Sequence, residues 1–247
     1  MNDRQSKILG ILSNGDQTSV NKLSLELSVS SVTIRQDLNY LEKEGLLKRV
    51  HGGAVLRGAD DIPSRLGINF EKKIVVARRA VSLVEDGETI FIESGSINAL
   101  FAKELLNRSG ITVVTTNLFI ARQLRKAKHV QVVLMGGIYQ HESESVVGQL
   151  TKACIEQVNF GKAFIGIDGF SPEAGFTSKD MMRAEIAAQI IGRSREAIVL
   201  TDSSKFGHNQ LRRICETEQI RCVITDRDVP QESRTFLEDR GVKVIVA

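Results

Sequence analysis

Five short runs in this chain set hydroxyl, amide, acid and lysine side chains beside glycine, each after an apolar segment. They are Glu93-Ser94-Gly95-Ser96, Thr115-Thr116-Asn117, Gly136-Gly137, Asp168-Gly169 and Asp202-Ser203-Ser204-Lys205. The small residues of the first run expose backbone N–H groups where a helix begins, which suits an anion. A glycine pair lets the backbone come close to a ligand. Lys205 supplies charge for a phosphate, Asp168 accepts from sugar hydroxyls, and Ser96 donates. Together these groups suit a small phosphorylated polyol. Taken singly, each run also reads as a turn or a helix cap.

A second set lies near the start. Ser30, Ser31, Val32, Thr33, Arg35, Gln36, Asn39 and Tyr40 precede Lys48, Arg49, His51 and Arg57. Ser, Thr, Arg, Gln and Asn bond phosphates and base edges, and Val32 can meet a thymine methyl.

The elements that must position these side chains follow from apolar spacing. Val20, Leu23 and Leu27 recur at helical intervals, and Ile34, Leu38 and Leu41 do so again after Ser30. Two helices so closely joined pack as a helix-turn-helix, whose second helix enters the DNA major groove. Ser30 or Ser31 caps that helix and Gly45 ends it. Val32, Gln36 and Asn39 then oppose its apolar seam. Leu46 to Leu56, turning at Gly52-Gly53, predicts a two-stranded wing, and a first helix runs from about Arg4 to Leu12.

Past the wing, short apolar strands alternate with amphipathic helices to the end of the chain. That alternation predicts a mainly parallel α/β sheet covered on both faces. In such sheets ligands sit beyond the carboxyl ends of the strands. The expected organisation is a winged helix-turn-helix DNA-binding domain at 1–57, a linker at 58–69, and an α/β effector and oligomerisation domain at 70–247.

Composition narrows the function. Thirty-three Lys+Arg against 30 Asp+Glu leave a net charge of only +3, so binding to nucleic acid through bulk charge is excluded. The three cysteines, Cys154, Cys215 and Cys222, show no CxxC spacing and the four histidines are scattered. No metal and no cofactor is expected. With no signal peptide and no apolar run long enough for a bilayer, the expectation is a soluble cytoplasmic protein with no membrane partner.

The run VSSVTIRQDLNYLEKEGLLKRVHGGA closely resembles the start of DeoR-type repressors of sugar operons. The resemblance continues through ESGS, TTNL, MGG, GIDGF, GFT with AEI, and DSSKFG, the most specific piece, and so covers essentially the whole chain. It implies an effector domain similar to the ribose-5-phosphate isomerase and CoA-transferase folds that binds a sugar phosphate. The strand-end runs supply the effector candidates Glu93, Ser94, Gly95, Ser96, Thr116, Asn117, Gly136, Gly137, Asp168 and Lys205, and the resemblance adds Glu185.

Three positions depart from the family pattern. Gln36 replaces a basic residue, which shifts the preferred base from guanine towards adenine. Glu93 stands where Asp is usual, and Ile97 where Thr is usual, which removes one hydroxyl. The resemblance implies a non-catalytic repressor of a carbohydrate operon, released from double-stranded operator DNA by a phosphorylated sugar effector. It would act as a homo-dimer or homo-tetramer. Two alternatives stand beside it. One is a sugar-phosphate isomerase using Asp168, Glu185 and Lys205. The other is a DNA-binding module whose second domain only oligomerises.

Overall fold

Apolar residues at helical spacing build the first helices of the chain. In the computed structural model, which describes residues 2–12, 17–56 and 60–247, they are α1 (Asp3–Leu12), α2 (Val20–Glu26) and α3 (Ser31–Lys43). Ile8, Leu9, Leu12, Leu23, Ile34, Leu38 and Leu41 form the core between them. Ser30 caps α3, its Oγ accepting from the Thr33 N–H at 3.1 Å. Gly45, at φ +74°, closes the helix, with the Leu46 N–H reaching the Leu41 carbonyl at 2.8 Å.

The wing is present as β2 (Lys48–Val50) and β3 (Gly53–Val55), antiparallel about Gly52. A further strand, β1 (Thr18–Ser19), pairs with the other edge of β3. Two residues are too few to show a period of two, so this strand leaves no trace in the hydrophobic pattern. It does explain Gly53: a Cβ there would lie 2.2 Å from the Thr18 carbonyl oxygen.

The stretch expected as a linker differs. Its residues 62–67 form α4 (Ile62–Gly67), which packs on α1 with Ile62 and Leu66 buried. A compact unit therefore runs through Phe70, and a second spans Glu71–Ala247. Pro63 at the helix start and the flanking charges hide Ile62 and Leu66, which lie four residues apart. Residues 58 and 59 lie outside the described residues.

The second unit begins with α5 (Phe70–Val81), β4 (Thr89–Ile92), α6 (Ser96–Glu104), β5 (Thr112–Thr115), α7 (Leu118–Leu124) and β6 (Gln131–Leu134). A hairpin of β7 (Ile138–Gln140) and β8 (Ser145–Val147) leads to α8 (Gln149–Glu156) and β9 (Lys162–Ile165). Then come β10 (Gly169–Ser171), β11 (Gly175–Ser178), α9 (Met181–Arg193), β12 (Glu196–Leu200) and β13 (Arg212–Cys215). The chain closes with β14 (Cys222–Thr225), α10 (Gln231–Asp239) and β15 (Lys243–Val246).

Seven of these strands form one parallel sheet in the order β15-β14-β12-β9-β4-β5-β6. Consecutive residues such as Ile90-Phe91-Ile92, Phe164-Ile165 and Val223-Ile224 are all buried. Successive strand side chains point to opposite faces, so both faces of this sheet are covered, as the strand composition implied.

The antiparallel pieces are what periodicity did not reveal. KAFIGIDGF, which reads as one strand, is divided between β9 of the large sheet and β10 of a three-stranded sheet, β10-β11-β13. The pattern breaks at Gly166, where a Cβ would lie 2.5 Å from the Ser94 carbonyl oxygen. The irregular stretch at 138–147 is the β7–β8 hairpin. Both strands are three residues long and β7 is largely exposed, so alternation is faint there.

Candidate functional site

On the first unit, a half-buried ion pair to the inward-facing Asp37 of α3 goes with the rotation of that helix. Arg4 Nε lies 2.5 Å from Asp37 Oδ2, and Gln5 Nε2 donates to Asp37 Oδ1 at 3.0 Å. With Ile34, Asp37, Leu38 and Leu41 inward, Val32, Arg35, Gln36, Asn39 and Tyr40 are left facing solvent. Val32 is 60% exposed, an apolar side chain in water on an otherwise polar face. Ser31 and Thr33 are half-buried at its start. Ser30 and Thr33 spend part of their hydrogen bonding on the cap, their hydroxyls 2.9 Å apart.

The wing is clamped to this helix. The Arg49 guanidinium donates to Asn39 Oδ1, and the Arg49 N–H donates to Glu42 Oε1 at 3.0 Å. Asn39 and Arg49 thus act on one another rather than as two independent reading groups. Lys48 and His51 are exposed on the wing. Arg57 lies outside the described residues.

On the second unit, the strand order has one switch point. The chain moves outward from β4 through β5 to β6, then returns to place β9 on the other side of β4 and continues through β12 and β14 to β15. The connections leaving β4 and β9 therefore run away in opposite directions, and the crevice of a doubly wound sheet, where ligands are held, belongs at this point. Glu93, Ser94, Gly95 and Ser96 leave β4 there, and Gly166, Ile167 and Asp168 leave β9. Glu93 Oε2 accepts from the Gly166 N–H at 3.3 Å, across the switch.

Helix α6 starts at this crevice with Gly95 as its N-cap, at φ +131° and with no side-chain cap. The first intrahelical bond is Ala99 N–H to the Gly95 carbonyl at 2.9 Å, so the N–H groups of Ser96, Ile97 and Asn98 precede the helical ladder. Such a start favours an anion. Asn98 is buried and donates to the Ser94 and Phe164 carbonyls at 3.0 and 3.1 Å. Its Oδ1 has no hydrogen-bond partner among the described residues, an acceptor open to a hydroxyl or a water.

Glu93 is fully enclosed. Burial pushes its carboxyl up to about 7, against the pull of the Ser94 and Gly166 N–H groups and the charge of Arg183; Asp168 adds to the rise. Arg183, itself buried on α9, brings positive charge to this acid pair, and it went unnoticed in the sequence. Its signal was present: Arg183 shares a helical face with Ala184, Ile186, Ala187 and Ile190, all of them buried. Asp168 accepts from Ser178 Oγ at 3.2 Å and the Lys179 N–H at 3.1 Å.

The remaining expected residues separate into those near the crevice and those spent elsewhere. Asn117 is a structural hub. Its Oδ1 caps α7 at Ile120, and its Nδ2 donates to Ser94 Oγ, the Ser143 carbonyl and Ser145 Oγ. Ser145 Oγ in turn donates to Ser94 Oγ at 3.0 Å, so the β7–β8 hairpin supports the β4 loop. Thr115 and Thr116 are buried beside it.

Gly136 and Gly137 answer to packing. A Cβ on Gly137 would lie 1.9 Å from Thr151 Oγ1, and Thr151 donates to the Gly136 carbonyl at 2.8 Å. They follow β6, two places from β4, and Lys205 follows β12, which adjoins β9 on the opposite side. At about 4.8 Å per strand, the glycines begin about 10 Å from the β4 edge of the crevice and Lys205 about 5 Å from its β9 edge. Lys205 is half-buried and makes no ion pair among the described residues.

Glu185 is not brought to the crevice. It is exposed and ion-paired with Lys152 at 2.8 Å, in a groove of about 730 Å³ between α8, α9 and β13. Two residues beyond Arg183 is more than half a turn, so the two side chains of α9 must point apart. The isomerase reading needed Asp168, Glu185 and Lys205 on one substrate. Cys215 and Cys222 are buried thiols, pushed up by that burial to about 12 and about 11. No helix among the described residues is long and apolar enough to cross a membrane.

Comparison with known proteins gives a consistent picture. The family model described as the DeoR-like helix-turn-helix domain matches residues 4–58, and that of the DeoR C terminal sensor domain matches residues 68–227. The HTH-type transcriptional regulator GolR of Listeria innocua is 32% identical over 99% of this chain and 98% of its own length. The glycerol-3-phosphate regulon repressor of Escherichia coli K12 is 29% identical over 98% and 97%. The lactose phosphotransferase system repressor of Staphylococcus epidermidis is 31% identical over 92% of each chain. Among solved structures, ribose 5-phosphate isomerase A from Methanocaldococcus jannaschii aligns over 56% of this chain and 55% of that one. Its identity is 23% and its TM-score 0.43.

Proposed function

The chain belongs to the DeoR family of DNA-binding transcriptional regulators, and on that premise we propose that it represses a carbohydrate-utilisation operon and is released by a phosphorylated sugar or polyol. The exposed face of α3 enters the major groove of duplex operator DNA, with the wing on the adjoining phosphates. One short recognition helix reads few base pairs, so two or four copies act together. The protein works in the cytoplasm and turns over no substrate.

One observation carries the effector reading. At the switch point of the sheet, the uncapped start of α6 meets the buried Glu93, Ser94 and Ser96. An anionic group suits the helix start, and hydroxyls suit the acids Glu93 and Asp168. Lys205 adds charge from the β12 side. Effector binding then shifts the population towards the form with low operator affinity.

Thermal melting of the purified protein against phosphorylated sugars, free sugars, polyols and acids tests this. A ligand specific to the folded sensor at about 100 times its Kd should add about 2.7 kcal/mol of stability. The same compound should then release operator DNA, and Lys205→Ala should keep DNA binding while losing that release. If no phosphorylated compound raises the melting temperature, the effector reading fails and only the DNA-binding half stands.

A further inference from the structure

The loop that carries Lys205 is held from outside the crevice by a residue at the foot of α5. Lys72 Nζ donates to Ser203 Oγ at 2.9 Å and lies 2.9 Å from Asp228 Oδ2 and 3.7 Å from Asp226 Oδ1. Asp226, which is buried, accepts from the Ser203 N–H at 2.6 Å and from the Asp228 N–H at 3.1 Å. Buried Asp202 accepts from the Ser204 N–H at 3.1 Å, and its carbonyl accepts from the Lys205 N–H at 3.1 Å. The turns after β12 and β14 are thus knitted together, and one ammonium group joins them to α5.

The position of that ammonium in the chain gives it meaning. Helix α5 begins at Phe70, the last residue of the DNA-binding unit, and Lys72 lies in its first turn. We propose that Lys72 is a positioning residue that ties the 202–205 loop to the foot of α5, so that an anion bound at the loop is felt at the junction with the DNA-binding unit. An anion arriving at Lys205 either draws the Lys72 ammonium from Asp228 or turns Ser203 Oγ away from it. Both events rewrite the bonds that hold the first turn of α5. This rests on the reading of the 202–205 loop as part of the effector site.

Hydrogen–deuterium exchange on the full chain, with and without inorganic phosphate, tests it without knowledge of the effector or the operator. In the unaltered protein phosphate should change exchange at residues 203–206 and also at 74–78, each by about fivefold or more, the low end of ordinary allosteric coupling. Lys72→Met should keep the loop response and lose the α5 response, and Lys72→Arg should restore it. Asp228→Asn removes a partner that is 58% exposed, so it should fold normally and reduce the α5 response.

An α5 response undiminished in Lys72→Met or Asp228→Asn overturns the coupling role. So does an unaltered protein in which the loop responds and α5 is silent. Silence at both places overturns the loop as an anion site and the coupling with it.

Discussion

Glu93 shows how much one enclosed acid can reveal. Its carboxyl is raised to about 7 in the folded chain, chiefly by burial, from an ordinary value near 4.5. A raised value means that the folded state holds a proton the unfolded chain has lost. The stability this contributes is complete below about 4.5 and disappears as pH rises through about 7. Glu93→Gln should therefore flatten the stability profile across that window, where the parent chain loses a few kcal/mol at most. Denaturant midpoints at pH 5 and pH 8 check this, and equal slopes for the two proteins would show Glu93 to be ionised throughout. Two exposed residues, Arg35 on α3 and Lys48 on the wing, test the proposed DNA contact. Arg35→Ala should cost about 1–3 kcal/mol and relax the preference at one base pair. Lys48→Ala should weaken binding to all DNA and lower the salt slope by about one contact. Footprints and salt titrations distinguish these outcomes.

At the scale of elements, long periodic segments were legible and short ones were not. Helix α3, its Ser30 cap and its Gly45 stop follow from residue types alone, because each acts within one turn of its position. The seven parallel strands follow too, the five inner ones because a strand buried on both faces is a continuous apolar run, and the edge strands β6 and β15 from short apolar runs of their own. Strand β1 and helix α4 escape because each depends on a partner far away in sequence, and the β7–β8 hairpin because its strands are only three residues long. The same reason explains the candidate site. Hydroxyl and glycine runs are visible in sequence, but not that Asn117 serves α7 and Ser145, nor that Arg183 turns inward while Glu185 turns out. Family resemblance marks Glu185; the helix geometry carries it to another face. Gly53 offers an element-scale test. Gly53→Ala would press its Cβ against the Thr18 carbonyl, part β1 from β3, and cost about 1–3 kcal/mol. The loss should appear as a lower melting transition and faster exchange at residues 18–19 and 53–55. An unchanged melt would mean that the strand can move aside freely.

At the scale of the whole molecule, the β4–β9 pairing at the centre of the sheet is distant in sequence. Ile90 lies opposite Lys162, 72 residues further on, whereas the winged helix closes on neighbours within its own first 70 residues. Loop closure over long spans slows folding, and helical units with local contacts fold faster. Refolding followed by stopped-flow should therefore resolve two phases, the faster one reporting α1 to α3. On a ribosome the order is stricter, since β4 waits unpaired on one side until β9 has been synthesised. A nascent chain thus completes its recognition helix before it owns the sensor, and control waits until the loop of Asp202 to Lys205 has been translated.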